Sequence, residues 1–458
     1  MKSSKAEFRA RVYRVPELRF EDQRLTSFSG VVILHRLLRK LQLRDRLSAC
    51  FRHLSKGQVV GLPNITLLLI VHLMLGYRRL RDIERYREDP LVARTLGLRR
   101  LPHVSTVSRC LARTDRKAVA NYQAVNRSVV LDRLQAEKLS RVTLDFDGSV
   151  ISSTRFAEGL AVGYNTTKKG LRSYYPLLCT VAQTAEVLDV LHRSGNVHDS
   201  HGAIPFMGDC LCAVHRRLPA AILEARVDSA FFSDKIATLF NDHGVQFTMS
   251  LPFERFAELK HLIETRRRWR HLDAQWDYFE VDWAPKSWPV VDRVLILRHR
   301  VRIQRKEPLQ LELFTPYQEG YEFKAVLTTK DGSAKSILLF HNGRAAQENQ
   351  FSELKSQCQM DYVPTRRLTG NQIYFLSAIL AHNLYRELQM SVYAADRKTT
   401  AKRAALWIFE EAGTLRHRLI QRAGRLTRPQ GRLRLTLSGN EVTRKEYLRM
   451  LRGLKRAA

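Results

Sequence analysis

The sequence predicts an α/β chain in which a helical N-terminal region precedes a core of strands and helices that a β-rich stretch interrupts. Three observations carry this reading. Up to residue 138 apolar residues recur at helical spacing; from 139 period-two runs alternate with helix-length stretches; and four of the five tryptophans fall between 252 and 334 among strand-like runs. The resulting divisions are 1–138, 139–251, 252–334, 335–395 and 396–458. A chain of 458 residues has room for two or three domains and a sizeable core.

In the first division, Ser27 to Leu43 carries Val31, Leu34, Leu38 and Leu41 at helical spacing, and Pro63 with Asn64 can start the next helix. Ile65 to Leu75 is the most apolar stretch, far short of the roughly 20 residues a membrane helix needs. Tyr77 to Tyr86 is amphipathic, and Leu101 to Leu111 reads as a helix that Ser105 can cap, with Val107 and Leu111 buried. Ser, Thr and Arg near the start of a short helix suit a major-groove reader, which makes Arg109 a candidate DNA contact.

From 139 the pattern changes. Val142 to Val150 alternates Val142, Leu144 and Phe146 with Thr143, Asp145 and Asp147, so both aspartates lie on one face of a strand. Leu178 to Leu191 and Val245 to Leu251 read as further strands, with a helix from Gly202 to Leu218 between them and Cys210 and Cys212 in its core. A short apolar run from Ile222 ends at Asp228. Residues 252–334 hold Trp269, Trp276, Trp283 and Trp288, the basic cluster Arg266 to Arg270, and β-rich runs at Val290 to Ile303, Leu309 to Phe314 and Phe323 to Thr329. At least two of these four tryptophans are expected to fill the core of this stretch, whereas Trp288 beside Pro289 is the candidate for stacking on an unpaired base.

His341 to Lys355 reads as one helix presenting a polar line of His341, Arg344, Glu348 and Lys355, with Phe351, Leu354 and Cys358 on the adjoining, core-facing side. The helix is expected to run on to Gln359. Acids at the ends of two strands and a third on a helix can converge, and converging carboxylates repel unless divalent cations neutralise them, which implies Mg²⁺ or Mn²⁺ on oxygen ligands. Leu368 to Leu388 reads as a further helix packed under the core, and the basic tail from Arg397 carries 17 Lys and Arg against 4 Asp and Glu.

The line His341, Arg344, Glu348, Lys355 resembles the tyrosine-arginine-glutamate-lysine signature of bacterial insertion-sequence DDE transposases, with His341 where that family usually has Tyr. The segment LDFDGSV around Asp147 and the segment RVDSAF around Asp228 resemble the family's two aspartate strands, and Tyr164, Asn165 and Lys169 to Leu177 resemble the segment that follows the first. Within the family the chain is most similar to the branch numbered thirteen-eighty, itself similar to piggyBac-like transposases. The resemblance implies an RNase H-like core with a β-rich insertion, behind a DNA-binding helical region. It implies catalysis by Asp147, Asp228 and Glu348, with Asp145 the weaker alternative to Asp147, on two Mg²⁺ or Mn²⁺ ions. Arg344, Lys355 and His341 would hold phosphates. The substrate would be double-stranded DNA, as terminal inverted repeats and target, bound by a homo-oligomer.

Composition agrees with a polyanion partner: 77 Lys and Arg against 45 Asp and Glu leave a formal charge of +32. The basic residues are spread along the chain, which does not suit a membrane anchor, and the charged first twenty residues do not read as a secretory signal. The six cysteines show no metal-ligand spacing and read as free thiols of a cytoplasmic protein. Two rival readings remain. Asp145 to Ser149 also matches the DxDG[ST] nucleophile loop of haloacid-dehalogenase-like phosphatases, and a non-catalytic repressor derived from a transposase would share the DNA-binding features.

Overall fold

The computed structural model of the chain describes residues 17–54, 60–163, 165, 168–198, 200–252, 255–288, 291–301, 316, 320–396 and 406–455. After a two-residue strand, Leu25–Thr26 (β1), come the helices Val31–Lys40 (α1), Leu43–Cys50 (α2), Leu62–Met74 (α3), Pro90–Thr95 (α4), Val104–Ala112 (α5) and Arg116–Glu137 (α6). Side-chain acceptors set several of the starts: Asp89 caps α4 with Pro90 in its first turn, and Asp115 accepts from the Ala118 amide to cap α6. Over Tyr77 to Tyr86 only a short 3-10 helix forms, Leu80–Arg85. The cap of α5 is His103, which accepts from the Ser105 amide, in place of the expected Ser105. The apolar run is buried from Ile65 to Met74 within α3, and among the described residues no helix is long and apolar enough to cross a membrane.

The following elements are Arg141–Gly148 (β2), Ile151–Ser152 (β3), Ala161–Val162 (β4), Arg172–Tyr174 (β5), Leu177–Val181 (β6), Glu186–Leu191 (β7), Ala203–Arg217 (α7), Ile222–Val227 (β8), Asp234–Asp242 (α8) and Gln246–Ser250 (β9). Next come Ala257–Glu264 (α9), Arg270–His271 (β10), Trp276–Trp283 (β11), Asp292–Arg300 (β12) and Tyr321–Thr328 (β13). One nine-stranded sheet runs β10-β11-β12-β13-β9-β8-β2-β6-β7, with β2/β8 and β8/β9 parallel and the other pairs antiparallel. The strands expected to interrupt the core therefore extend its sheet, since Val326 of β13 pairs with Ser250 of β9. The expected strand Leu309 to Phe314 lies outside the described residues, as does Tyr164. A small sheet, β3-β5-β4, grows from the end of β2 that carries Asp147.

Alternation along β2 gives its two faces different chemistry. Val142, Leu144 and Phe146 join Phe206, Cys210 and Phe240 from α7 and α8 in one apolar core. Cys212, expected in that core, is exposed, because it stands on the outer side of α7 two residues from Cys210. Thr143, Asp145 and Asp147 face the other side, which is covered by Ala334–Asn342 (α10), Ala345–Ser356 (α11) and Leu368–Met390 (α12).

Helix α12 ties the halves of the molecule together. Every residue from Ile373 to Met390 is buried, packed against α3, α6 and β7, so each buried leucine contributes roughly 1.5–3 kcal/mol. Its polar residues are partnered: Asn383 accepts from the Val187 amide and donates to Asn126 Oδ1, and Glu387 accepts two bonds of 2.6 Å from Arg133. The stretch expected as a basic tail is folded where it is described, as Ala412–Leu415 (α13), Gly424–Thr427 (β14), Arg434–Leu437 (β15) and Glu441–Gly453 (α14). It returns to the N-terminal helices: β14 pairs with β1, the Ser29 amide donates to Arg422 O at 2.8 Å, and Leu415, Leu419, Ile420 and Met450 enter the helical core.

Candidate functional site

The site is built where β2 and β8 end. Their parallel register pairs Asp145 with Arg226; Asp147 follows two residues later in β2, and Asp228 stands just past the end of β8, where its side chain caps the short 3-10 helix Ser229–Phe231. Both carboxylates are half-buried at the strand ends, and each takes a nearby backbone amide: Asp147 from Gly148 at 2.7 Å, Asp228 from Ala230 at 3.0 Å.

The helix with the third acid is fastened to the same strands. Gln347 donates to Asp145 O at 3.0 Å and to Thr180 Oγ1 at 2.9 Å, which lays the first turn of α11 over β2 and β6. From that turn Arg344 reaches Asp147 Oδ2 at 3.1 Å. Glu348 follows Arg344 by one turn and is exposed. Lys355 is partly covered, and burial lowers its ammonium from the ordinary value while Asp361 and Asp147 draw it back up, so it lies within the field of Asp147. As expected, Phe351, Leu354 and Cys358 of this segment are buried.

The polar line does not begin at His341. The expected single helix is two: α10 closes at Asn342, and the chain turns through Gly343 and Arg344 before α11. Gly343 is required there because a Cβ would collide with the Arg226 guanidinium. His341 consequently lies on α10, 3% exposed, between Ser250 Oγ at 2.9 Å and Thr248 Oγ1 at 3.0 Å, with burial holding its imidazole well below the usual value. It does not reach the surface where a phosphate would bind. At its other end α11 stops at Ser356, short of Gln359, whose φ is 63°.

Asp145 is an internal partner. It is 1% exposed and accepts both Arg226 Nε at 2.5 Å and Arg226 Nη2 at 2.6 Å, while Arg226 Nη1 donates to Phe340 O at 2.9 Å. An aspartate so enclosed is not open to attack a phosphoester, which removes the footing of the dehalogenase-like reading. Arg226, the first residue of the RVDSAF segment, and Gln347, which no motif marks, join the strands β2 and β8 to the α10–α11 turn.

The candidate DNA contacts fall outside this cluster. Arg109 is exposed on α5, beside a hollow also lined by Arg87, Arg100, His103 and Arg113. Trp288 is half-buried and stacks on Phe232, ring centroids 4.7 Å apart and planes 23° apart, so that ring is engaged within the protein. Trp269 and Trp283 likewise meet Phe279 and Phe256 edge to face.

Chemically the three acids suit a hard divalent cation. They offer only carboxylate oxygens, two of them at the ends of adjacent parallel strands, and in this structure a cation, the Arg344 guanidinium, already compensates Asp147. Among the described residues no group of three His, Cys, Asp or Glu side chains is placed to hold a metal ion, and Glu348 is exposed.

Comparison with known proteins gives a family. A model described as Transposase DDE domain group 1 matches residues 8–458. No curated protein matches. Among solved structures, the cryo-EM structure of a piggyBac transposase synaptic complex with hairpin DNA aligns at a TM-score of 0.41 and 10% identity, covering 82% of this chain and 78% of that one.

Proposed function

The chain belongs to the Transposase DDE domain group 1 family, and on that premise we propose that it cleaves and joins phosphodiester bonds at insertion-sequence ends, moving the element by cut and paste. The observation that carries the reading is the placement of Asp147 near the end of β2 and of Asp228 just past the end of the adjacent parallel strand β8, with Arg344 of the α10–α11 turn reaching Asp147. The strand order β7-β6-β2-β8-β9, three antiparallel strands leading into a parallel pair, supports an RNase H-like core, with β10 to β13 as its insertion.

Asp147, Asp228 and Glu348 would hold the metal, two Mg²⁺ or Mn²⁺ ions by resemblance to the family; when bound, these stabilise the charge that develops on the phosphoryl oxygens. The chain's own cations bind and orient the DNA. Arg344 can pass from Asp147 to a phosphate, for which its planar fork is suited, and Lys355 adds a point charge on the same side. No covalent enzyme nucleophile is involved. Helix α5 with Arg109 would lie against the DNA, and two transposon ends would be held by an oligomer.

The experiment is strand cleavage of a labelled duplex carrying the terminal repeats that flank the gene, with Mg²⁺ present. Wild type is expected to cut at the repeat boundary and Glu348→Ala to bind without cutting. Equal cutting by both would remove Glu348 from the site, and binding without cutting by both would favour the repressor.

A further inference from the structure

Phe156 is an aromatic ring open to meet nucleic acid. It is 65% exposed, on the loop that follows β3, at the same end of the large sheet as Asp147. An exposed phenylalanine is not kept there by packing; what surrounds it is positive charge. Arg172 of β5 holds its guanidinium carbon 5.5 Å from the ring centroid, and Arg155 and Arg366 are exposed beside it. Ser108 of α5, Arg366 and Arg367 line the same cleft as Phe156. The loop is fixed: the Glu158 amide donates to Arg366 O at 2.9 Å, Glu158 accepts from the Leu368 amide at 3.1 Å and pairs with Arg367 at 2.7 Å, and Tyr174 Oη donates to Glu158 O.

A rigid ring with one face supported by a guanidinium and its edge lined by further guanidinia matches the chemistry of a single nucleotide: stacking for the base, cations for the phosphates on either side. A paired base offers no face to such a ring. We propose that Phe156 and the arginines around it bind an unpaired base of a DNA strand. Ser108 in the wall of this cleft belongs to the candidate DNA-reading helix α5, so an unpaired segment held there lies against that helix. This rests on the transposase reading for the identity of the nucleic acid as DNA, and for nothing else.

The test is metal-free binding, by fluorescence anisotropy, of a short labelled duplex with an unpaired oligothymidine tail and of the same duplex made blunt. Phe156→Ala is expected to weaken binding of the tailed duplex roughly tenfold, while changing the blunt duplex less than about twofold, since base stacking on an aromatic is worth about that much. Phe156→Trp is expected to restore the tailed duplex, and 2-aminopurine in the tail to be quenched by wild type and not by Phe156→Ala. Equal losses on both duplexes, or no loss on either, would overturn the site. If Phe156→Ala binds both duplexes as wild type does while wild type cleaves repeat ends, the platform fails and the transposase reading stands; if wild type binds neither duplex, both fail.

Discussion

At the scale of the residue, Asp145 and Asp147 share a strand face and have opposite assignments. Asp145 is enclosed with Arg226, so removing either partner strands a buried charge: Arg226→Ala or Asp145→Ala is expected to cost about 3–5 kcal/mol in urea denaturation. Asp147 is half-buried, and its pairing with Arg344 is partly open to water, so Asp147→Ala is expected to change stability by less than about 1 kcal/mol. Its cleavage should nonetheless fall to background, as should that of Asp228→Ala. A stable, cleaving Asp147→Ala protein would return the catalytic role to Asp145 or remove it from this strand. The alternation of β2 made both acids legible in the sequence. Nothing local separated them, because the difference is made by an arginine on the neighbouring strand.

At the scale of the element, the break between α10 and α11 is the feature on which the third acid depends. Gly343→Val is expected to cost roughly 1–3 kcal/mol by driving a side chain into Arg226, and to reduce cleavage by displacing the turn that carries Arg344 and Glu348. A thermal melt beside a cleavage assay would check this; unchanged cleavage would show that the turn does not position the acids. The core side of α11 was readable from Phe351 and Leu354, since spacing alone sets it. The break was not, because it answers to Arg226, distant in sequence. For the same reason the sequence did not show that β10 to β13 continue the large sheet: strand pairing is non-local. In the C-terminal stretch the arginines that suggest a tail mask the few apolar residues, Leu415, Leu419, Ile420 and Met450, that fold it onto the N-terminal helices.

At the scale of the whole molecule, charge and burial make separate predictions. With a formal charge of +32, DNA binding should weaken steeply with salt, and Arg109→Ala should lower the log–log slope by about one unit if that side chain meets a phosphate. An unchanged slope would take Arg109 off the DNA. Burial holds the imidazoles of His72, His192 and His382 down to about 4, and that of His341 lower than its usual value as well. Below a pH of about 6.5 the unfolded chain binds protons on these rings that the folded chain refuses. Stability is therefore whole above that pH and falls as pH drops toward 4, by up to about 1.4 kcal/mol per pH unit for each histidine. Denaturation midpoints across this window should show the slope, and His382→Gln, which can keep the bond to Ala185 O, should flatten it. The central claim, that acids from two strands and one helix serve a single metal centre, is tested most directly by letting Fe²⁺ take the metal's place and mapping where hydroxyl radicals cut the backbone. Cuts near residues 147, 228 and 348 that disappear together when Mg²⁺ competes are the expected result; cuts that spare the start of α11, or that Mg²⁺ does not suppress, would contradict it.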